Sequence, residues 1–157
     1  MQAYKAKTIY LFQGVLSVES FKKIKLGTRA HAFVCEGRPG LEAGRMTSDI
    51  LLKKGINPTV ISDNMAGSLF FRGLVRQVFI ACQYADENGA LCDMGALILA
   101  VMARKHKVPV KLLPAQRRTR FLGDPKDILS FEGQRMAPQG TKGYVPLVEW
   151  VPEKYLK

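Results

Sequence analysis

Apolar positions along this chain alternate between short continuous runs and stretches with helical spacing. Ile9-Tyr10-Leu11-Phe12 is one continuous run inside a strand that we predict over 5–12. Runs of this length are typical of strands that are buried on both faces of a parallel sheet. Four further strands are predicted over 30–35, 58–62, 76–82 and 108–113.

Helical spacing fills the segments between these strands. In the segment 41–54, Met46, Ile50 and Leu51 share one face, and Gly55 follows as a typical C-terminal stop. Three more helices are predicted over 15–25, 65–72 and 94–106.

The alternation of strands and helices predicts an α/β fold: a three-layer Rossmann-like domain with a mostly parallel sheet and helices on both faces. Its 157 residues fit a single domain. The tail from Ala115 is more polar, and we expect irregular structure there. Ligands of such sheets bind beyond the C-terminal strand ends. These ends are Gln13-Gly14, Glu36-Gly37-Arg38, Asp63-Asn64, Gln83-Tyr84 and Pro114.

Several polar residues at these ends have a structural role as an alternative to a functional one. Arg38 is suited to hold a phosphate or carboxylate bidentately, or to pair with neighbouring Glu36. Asp63 is suited to orient a sugar hydroxyl or act as a base, or to cap the next helix together with Asn64. Asp93 is suited to cap the apolar helix that follows it; the N-terminus of that helix also suits a phosphate, although the Asp93 carboxylate would compete with the anion. The residues alone leave these alternatives open.

The formal net charge of +11 suggests an anionic partner, either a phosphorylated small molecule or nucleic acid. No aromatic residues are interleaved with the basic ones, as they are in proteins that bind single-stranded nucleic acid. A nucleic-acid partner is therefore possible but is supported by no motif. A solvated basic surface is the structural alternative. The basic groups are Lys22-Lys23-Lys25, Arg104-Lys105-Lys107 and Arg117-Arg118-Arg120.

Other patterns exclude several classes of protein. No apolar run reaches the roughly 18–20 residues of a membrane span, and the N-terminus lacks signal-peptide features, so we expect a cytoplasmic protein without a membrane partner. Cys35, Cys82 and Cys92 form no C-x-x-C or Cys/His cluster, which predicts reduced thiols and no metal site. There is no G-x-G-x-x-G and no Walker A motif, and we expect no cofactor.

Five segments in order resemble the methylthioribose-1-phosphate isomerase family, which shares its fold with the regulatory subunits of translation initiation factor 2B. The S-D-N-M-A stretch and the tail favour the isomerase branch. The resemblance implies that 1–157 is one domain, equivalent to the family's C-terminal domain, with the helical N-terminal domain absent. The segments are 35–51, 55–67, 88–102, 105–115 and 123–156.

The resemblance also implies that the catalytic positions are altered. The family's catalytic cysteine falls at Gly14 and its catalytic aspartate at Gln83, whose amide does not exchange a proton at neutral pH. Its substrate-binding glutamine falls at Glu42, and its Asn-Lys pair at Cys92-Asp93. We therefore assign no catalytic residue. The substrate-binding positions implied are Arg38, Glu42, Asp63, Asn64, Gln83, Asn88 and Asp93.

Three functions follow from the resemblance. The first is a divergent family member that has lost catalytic turnover and binds a phosphorylated sugar or nucleotide. It assembles as a homodimer or hetero-oligomer, and the family relates it to methionine salvage. The second is an active aldose–ketose isomerase, acting alone or with a partner subunit, in which Cys82 beside Gln83 leaves room for rewired chemistry. The third is a regulatory scaffold like the initiation factor subunits. Whether the protein is an enzyme is left open at this point.

Overall fold

The computed structural model describes residues 8–27, 30–116 and 120–157. Residues 5–7 of the first predicted strand, and Arg117-Arg118 of the third basic group, lie outside them. The strands are β1 Ile9–Gln13, β2 His31–Cys35, β3 Pro58–Ile61, β4 Val75–Asp86, β5 Gly89–Asp93, β6 Val110–Pro114, β7 Ser130–Phe131, β8 Gln134–Arg135 and β9 Val148–Pro152. The α-helices are α1 Val18–Lys22, α2 Ser48–Lys53, α3 Ala66–Phe71, α4 Ala96–Lys105 and α5 Lys126–Leu129.

A parallel sheet forms the centre of the molecule, with strands in the order β3, β2, β1, β4, β6. All five strands predicted from the sequence are present, with small shifts at their ends. Residues of β1 alternate between two buried clusters: Ile9 and Leu11 pack with α3 and α4, while Tyr10 and Phe12 pack with α1 and α2. The sheet is therefore the middle of three layers, and the α/β class is confirmed.

The sheet is mixed, because β5 and β9 add an antiparallel part. Cys82 of β4 pairs with Pro114 of β6 on one edge and with Cys92 of β5 on the other. Since a strand has only two edges, β5 lies on the β1 side of β4, beyond the end of β1. β9 then pairs with β5, so the prediction of an irregular tail is wrong for Val148–Pro152.

Helix beginnings differ most from the sequence prediction. The segment predicted from residue 41 starts with a π-helical turn over Ala43–Thr47, and the segment predicted from 65 starts with a 3-10 turn over Asp63–Met65. Asp63 does not cap that turn, where Ser62 holds the N-cap position. α4 begins after Gly95 rather than at a capping Asp93. None of the helices in the described ranges is long and apolar enough to cross a membrane.

Candidate functional site

A small cleft opens at the C-terminal ends of β1 and β2, beside the end of β5. β1 is followed by β2 and β3 on one side, whereas β4 and β6 lie on the other, so the connections diverge between β1 and β4. Ligands of open α/β sheets bind at this kind of switch point. The cleft holds about 60 Å³. It is lined by Gln13, Gly14, Val15, Gly37, Arg38, Gly40, Glu42, Ala43, Asp93, Met94 and Leu147.

Gln13, the last residue of β1, carries an unsatisfied oxygen at this cleft. Its side chain is only 1% exposed, and its Nε2 donates to the Met94 carbonyl at 2.7 Å, which fixes the orientation of the amide. Oε1 has no hydrogen-bond partner among the described residues. A buried acceptor left without a donor costs about 1–3 kcal/mol. A ligand that donates a hydrogen bond to this oxygen would remove that cost.

Asp93, the last residue of β5, contacts both the loop after β1 and Gln83 of β4. Its Oδ1 accepts from Gln83 Nε2 at 3.0 Å, and its Oδ2 accepts from the Val15 amide at 3.3 Å. Gly14 has a φ of +80°, and a Cβ on it would lie 2.8 Å from Asp93 Oδ2. The carboxylate therefore contacts the two positions, 14 and 83, at which the resemblance predicts the family's catalytic cysteine and aspartate.

A β-bulge directs Gln83 toward this carboxylate. The β4–β5 register pairs Cys82 with Cys92 and then Tyr84 with Leu91, so Gln83 is the extra residue on β4. Bulges of this kind turn a side chain out of the regular alternation and are frequent near functional sites. The bulge explains how Gln83 reaches Asp93 across the strand pair.

Backbone amides after β2 are fixed by Asp63. Its Oδ1 accepts from the Gly37 amide at 2.9 Å and its Oδ2 from the Arg38 amide at 2.8 Å. The Arg38 guanidinium stacks on Phe131, with 4.3 Å between its carbon and the ring centroid, and forms no ion pair with Glu36 within the described ranges. Asp63 thus shapes the loop that presents Arg38 to the cleft.

The π-helical turn fixes the loop after β1. Thr47 is fully buried, donates to the Gly14 carbonyl at 2.9 Å and accepts from the Leu16 amide at 3.3 Å. Single π-helical turns often occur at functional sites. Here the turn brings a hydroxyl group to the segment that forms one wall of the cleft.

A larger apolar groove continues from the cleft along α4. It holds about 490 Å³, and Arg38 and Met94 line both cavities. Leu97, Ile98 and Val101 supply its apolar wall. The combined volume of the cleft and the groove lies in the range of small-molecule sites, roughly 300–1,000 Å³. The arrangement suits a ligand with a polar part in the cleft and an apolar part in the groove.

Among the substrate-binding positions predicted from the sequence, the structure brings most to this region. Arg38, Glu42 and Asp93 line the cleft, Asp63 lines the groove, and Gln83 contacts Asp93. Two are not brought to it. Asn64 is exposed on the 3-10 turn, and Asn88 lies in the turn at the far end of the β4–β5 hairpin.

Other lining residues were missed. Gln13 was recognised only as a strand end, and its unsatisfied oxygen depends on a bond to Met94, which is 81 positions away. Leu147 comes from the tail that was expected to be irregular. Glu149 of β9 accepts from the Leu97 amide at 2.9 Å and so satisfies the start of α4. No local pattern in the sequence indicates these long-range contacts.

The three cysteines are free but differ in environment. Burial raises the pKa of the Cys35 thiol above its usual range. A hydrogen bond from Cys92 lowers the pKa of Cys82 to about 7, and the same bond, with burial, raises the pKa of Cys92. Within the described ranges, no three His, Cys, Asp or Glu side chains lie close enough to hold a metal.

The basic groups contribute little to the cleft. α4 starts at the groove and is ten residues, about 15 Å, long, and the basic group of Arg104, Lys105 and Lys107 lies at its opposite end. The residues that line the cleft include one cation, Arg38, and two carboxylates, Glu42 and Asp93. Among the described residues, the basic side chains other than Arg38 therefore lie outside the cleft and the groove.

Fold and site together define an open-sheet α/β protein with a ligand-sized cavity at its switch point. The comparison with protein families is more specific, because the model of the initiation factor 2 subunit family matches residues 5–157. This chain belongs to that family.

Curated relatives support the isomerase branch seen in the sequence. The chain is 32% identical over 149 residues to the methylthioribose-1-phosphate isomerase of Thermus thermophilus, covering 84% of this chain and 44% of that protein. It is 30% identical over 153 residues to the enzyme of the same name from Koribacter versatilis, covering 89% and 41%. The chain thus spans less than half the length of these relatives.

Solved structures show the same fold. The delta subunit of translation initiation factor eIF-2B from A. fulgidus superimposes with a TM-score of 0.79 at 18% identity, covering 97% of this chain and 51% of that one. The 5-methylthioribose 1-phosphate isomerase from Pyrococcus horikoshii gives 0.74 at 23% identity, covering 96% and 49%.

Proposed function

We propose that this domain binds a phosphorylated sugar in the cleft and has lost the turnover of the isomerases. The unsatisfied Oε1 of Gln13 is the observation that carries this proposal. A sugar hydroxyl donates a hydrogen bond to such an oxygen, and Asp93 beside it accepts from a second hydroxyl. Arg38, at the boundary of cleft and groove, supplies the guanidinium for the phosphate.

Charge and shape set the orientation of the ligand in this proposal. Glu42 and Asp93 line the inner cleft, so a phosphate placed there would meet two carboxylates. The hydroxyls therefore point inward and the phosphate lies outward at Arg38. The apolar wall of Leu97, Ile98 and Val101 suits an uncharged substituent. Methylthioribose 1-phosphate, in the name of the relatives, has all three parts; nucleotides are the alternative ligand class.

Loss of turnover rests on the altered positions. Aldose–ketose isomerisation moves a proton or hydride between adjacent carbons and needs a positioned acid or base. Gly14 has no side chain, and the amide of Gln83 does not titrate at neutral pH. Asp93 favours a second candidate function, an active isomerase with its acid/base group relocated, because its carboxylate touches both positions.

Phosphorus NMR separates the two candidates. The protein is mixed with methylthioribose 1-phosphate, with pentose phosphates and with nucleotides, and the ligand lines are followed over time. Broadened sugar-phosphate lines without new peaks are expected. A new ketose-phosphate peak that disappears in the variant Asp93→Asn would instead establish the relocated isomerase. Broadening of the nucleotide lines alone would show that the ligand is a nucleotide rather than a sugar phosphate. Lines that stay unbroadened in every mixture would exclude both ligand classes.

A matched pair of variants tests the role of Gln13. Gln13→Leu removes the unsatisfied acceptor, so we expect the affinity for the sugar phosphate to fall about tenfold, equivalent to one hydrogen bond of roughly 1.4 kcal/mol. Gln134→Leu makes the same change at an exposed position on β8 and should leave the affinity unchanged. Equal affinities in the two variants would show that Gln13 does not contact the sugar phosphate.

We also propose that the protein is cytoplasmic and assembles as a homodimer or hetero-oligomer. The free thiols support the cytoplasm as the compartment. One structural neighbour is a subunit of a translation initiation factor, which supports assembly. Exposed apolar side chains on α4 support the assembly, with Ile98 62% exposed. Light scattering of the purified protein gives its mass; a monomer at all concentrations would exclude the homodimer and leave a separate partner.

A further inference from the structure

Cys82 and Cys92 face each other across the β4–β5 hairpin. They are direct partners in the antiparallel register. Residues in this relation have Cα atoms about 4.5–5.5 Å apart and side chains on one face, while disulfides join Cα atoms about 4.4–6.8 Å apart. Cys92 belongs to the buried cluster under α4, and Cys82 packs against the same cluster. The two thiols therefore meet the distance requirement of a disulfide within the native sheet.

The two thiols also differ in the way that a reactive pair requires. Cys82 is partly exposed, and its thiol gives up a hydrogen bond to the Tyr84 carbonyl, 2.9 Å away, when it ionises. Donation from the Cys92 thiol lowers the pKa of Cys82 to about 7, so thiolate is abundant at neutral pH. Cys92 is fully buried, and the charged groups Asp93 and Glu149 near it oppose its ionisation. Cys82 is the accessible nucleophile and Cys92 the protected partner.

We propose that Cys82 and Cys92 form a redox-active dithiol that exchanges with small disulfides. The Cys82 thiolate attacks one sulfur of a disulfide RSSR, the S–S bond breaks, and RS⁻ leaves and takes up a proton. Cys92 loses its proton, attacks the Cys82 sulfur and expels the second RS⁻. In the net reaction, the dithiol loses two protons and two electrons, and RSSR, which gains them, becomes two RSH.

This modification site lies next to the ligand cleft but is independent of the proposed ligand. Gln83 follows Cys82, Asp93 follows Cys92, and these two neighbours are joined by the 3.0 Å hydrogen bond described above. Cross-linking β4 to β5 therefore acts one residue away from the Gln83–Asp93 pair. The disulfide itself is measured without any sugar phosphate, so a negative ligand screen leaves this proposal intact.

Peptide mapping of the wild-type protein tests the proposal directly. The reduced, folded protein is equilibrated with mixtures of oxidised and reduced glutathione, quenched with acid, alkylated and digested. We expect two of the three thiols to become protected as oxidised glutathione increases, and the peptides that contain Cys82 and Cys92 to be joined. Circular dichroism confirms that the oxidised protein is still folded. Free Cys82 and Cys92 at every ratio, or a linkage that involves Cys35, would overturn the proposal.

Three single variants resolve the order of steps. Cys92→Ala should stop at a glutathione adduct on Cys82, and Cys82→Ala should acquire no adduct at buried Cys92. Cys35→Ala is the matched control and should form the same disulfide as the wild type, because Cys35 lies apart at the end of β2. A stable adduct on Cys92 in Cys82→Ala would reverse the assigned roles and contradict the mechanism.

The rate of alkylation gives a second readout. With iodoacetamide, modification of Cys82 in the wild type should be half-maximal near pH 7, the value to which its pKa is lowered. In Cys92→Ala the profile should move to higher pH, since the hydrogen-bond donor is gone. An unchanged profile would show that Cys92 does not activate Cys82.

Discussion

At the scale of single residues, Gly14 leaves no room for a side chain beside Asp93. The φ of +80° at Gly14 is one that most residues avoid, and its missing Cβ would lie 2.8 Å from Ala81 Cβ as well as from Asp93 Oδ2. A cysteine at this position, where the resemblance predicts the family's catalytic thiol, would therefore require the carboxylate to move.

Placing a cysteine at position 14 should therefore destabilise the protein rather than activate it. For Gly14→Cys we expect the free energy of unfolding to fall by about 2–4 kcal/mol, from the left-handed backbone and the crowding together. Gly133→Ala is the matched control, because Gly133 has a φ of +77° and no atom within 4 Å of the added Cβ. It should lose only about 1 kcal/mol in urea denaturation. Equal losses in Gly14→Ala and Gly133→Ala would show that crowding by Asp93 is unimportant.

The residue scale also shows the limit of the sequence. The resemblance predicts that Gly14 and Gln83 stand at the family's catalytic positions, and this stays a prediction. The sequence did not indicate that Asp93 joins the two positions, because its bond to the Val15 amide spans 78 positions and its bond to Gln83 requires a bulge. The capping role suggested by its local context was the simpler choice, and it is wrong.

At the scale of elements, β9 completes α4 as well as the sheet. The N-cap residue Gly95 has no side chain, and the first turn of α4 contains no acidic residue. Glu149 of β9 supplies both the acceptor for the Leu97 amide and a negative charge near the positive end of the helix. A helix whose own sequence lacks a cap is thus capped by a strand 52 positions later.

Removing this contact should weaken α4 specifically. Glu149→Ala is expected to lower the free energy of unfolding by about 1 kcal/mol, and Glu149→Gln by less, since it keeps an acceptor. Hydrogen exchange should accelerate at the Leu97 amide in the alanine variant. Glu87→Ala, in the exposed turn of the β4–β5 hairpin, is the control and should change neither quantity. Unchanged exchange at Leu97 would contradict the capping role.

Strands and helices with a clear local pattern in the sequence were predicted correctly, whereas strands that depend on distant partners were not. The apolar runs of β1 and β2 and the helical spacing before Gly55 gave the right elements, because each is fixed by its own burial pattern. β5 and β9 are short strands whose positions depend on antiparallel pairing: β5 lies between β4 and β9, and β9 pairs with β5. In β9, buried Val148 and Val151 enclose half-buried Glu149 and exposed Trp150, which matches neither regular period.

At the scale of the whole molecule, the basic side chains of the described residues lie mainly at exposed positions. The net charge is +11, and the ion pairs seen among the described residues are local ones within single helical turns, such as Lys22–Glu19 and Lys53–Asp49. Pairs of this kind contribute little in water. Mutual repulsion of the remaining cations therefore opposes the compact state.

Salt should accordingly stabilise the protein. Raising sodium chloride from about 10 mM to about 150 mM shortens the screening length from roughly 30 Å to roughly 8 Å and weakens the repulsion. We expect the Tm to rise by a few degrees in thermal unfolding followed by circular dichroism. The variant Lys25→Gln/Lys54→Gln, which removes two exposed cations, should have a higher Tm at low salt and a smaller response. A Tm that falls with salt would mean that attractive pairs dominate.

The position of β9 in the chain has a consequence for synthesis on the ribosome. β5 is made well before its antiparallel partner, and residues are added at about 5–20 per second, so the edge of β5 stays unpaired for several seconds. During this time the Leu97 amide lacks Glu149, and the Met94 amide lacks the carbonyl of Leu147. An open edge is a template for strands of other chains. Nascent chains of this protein should therefore depend on holding chaperones until the last strand emerges.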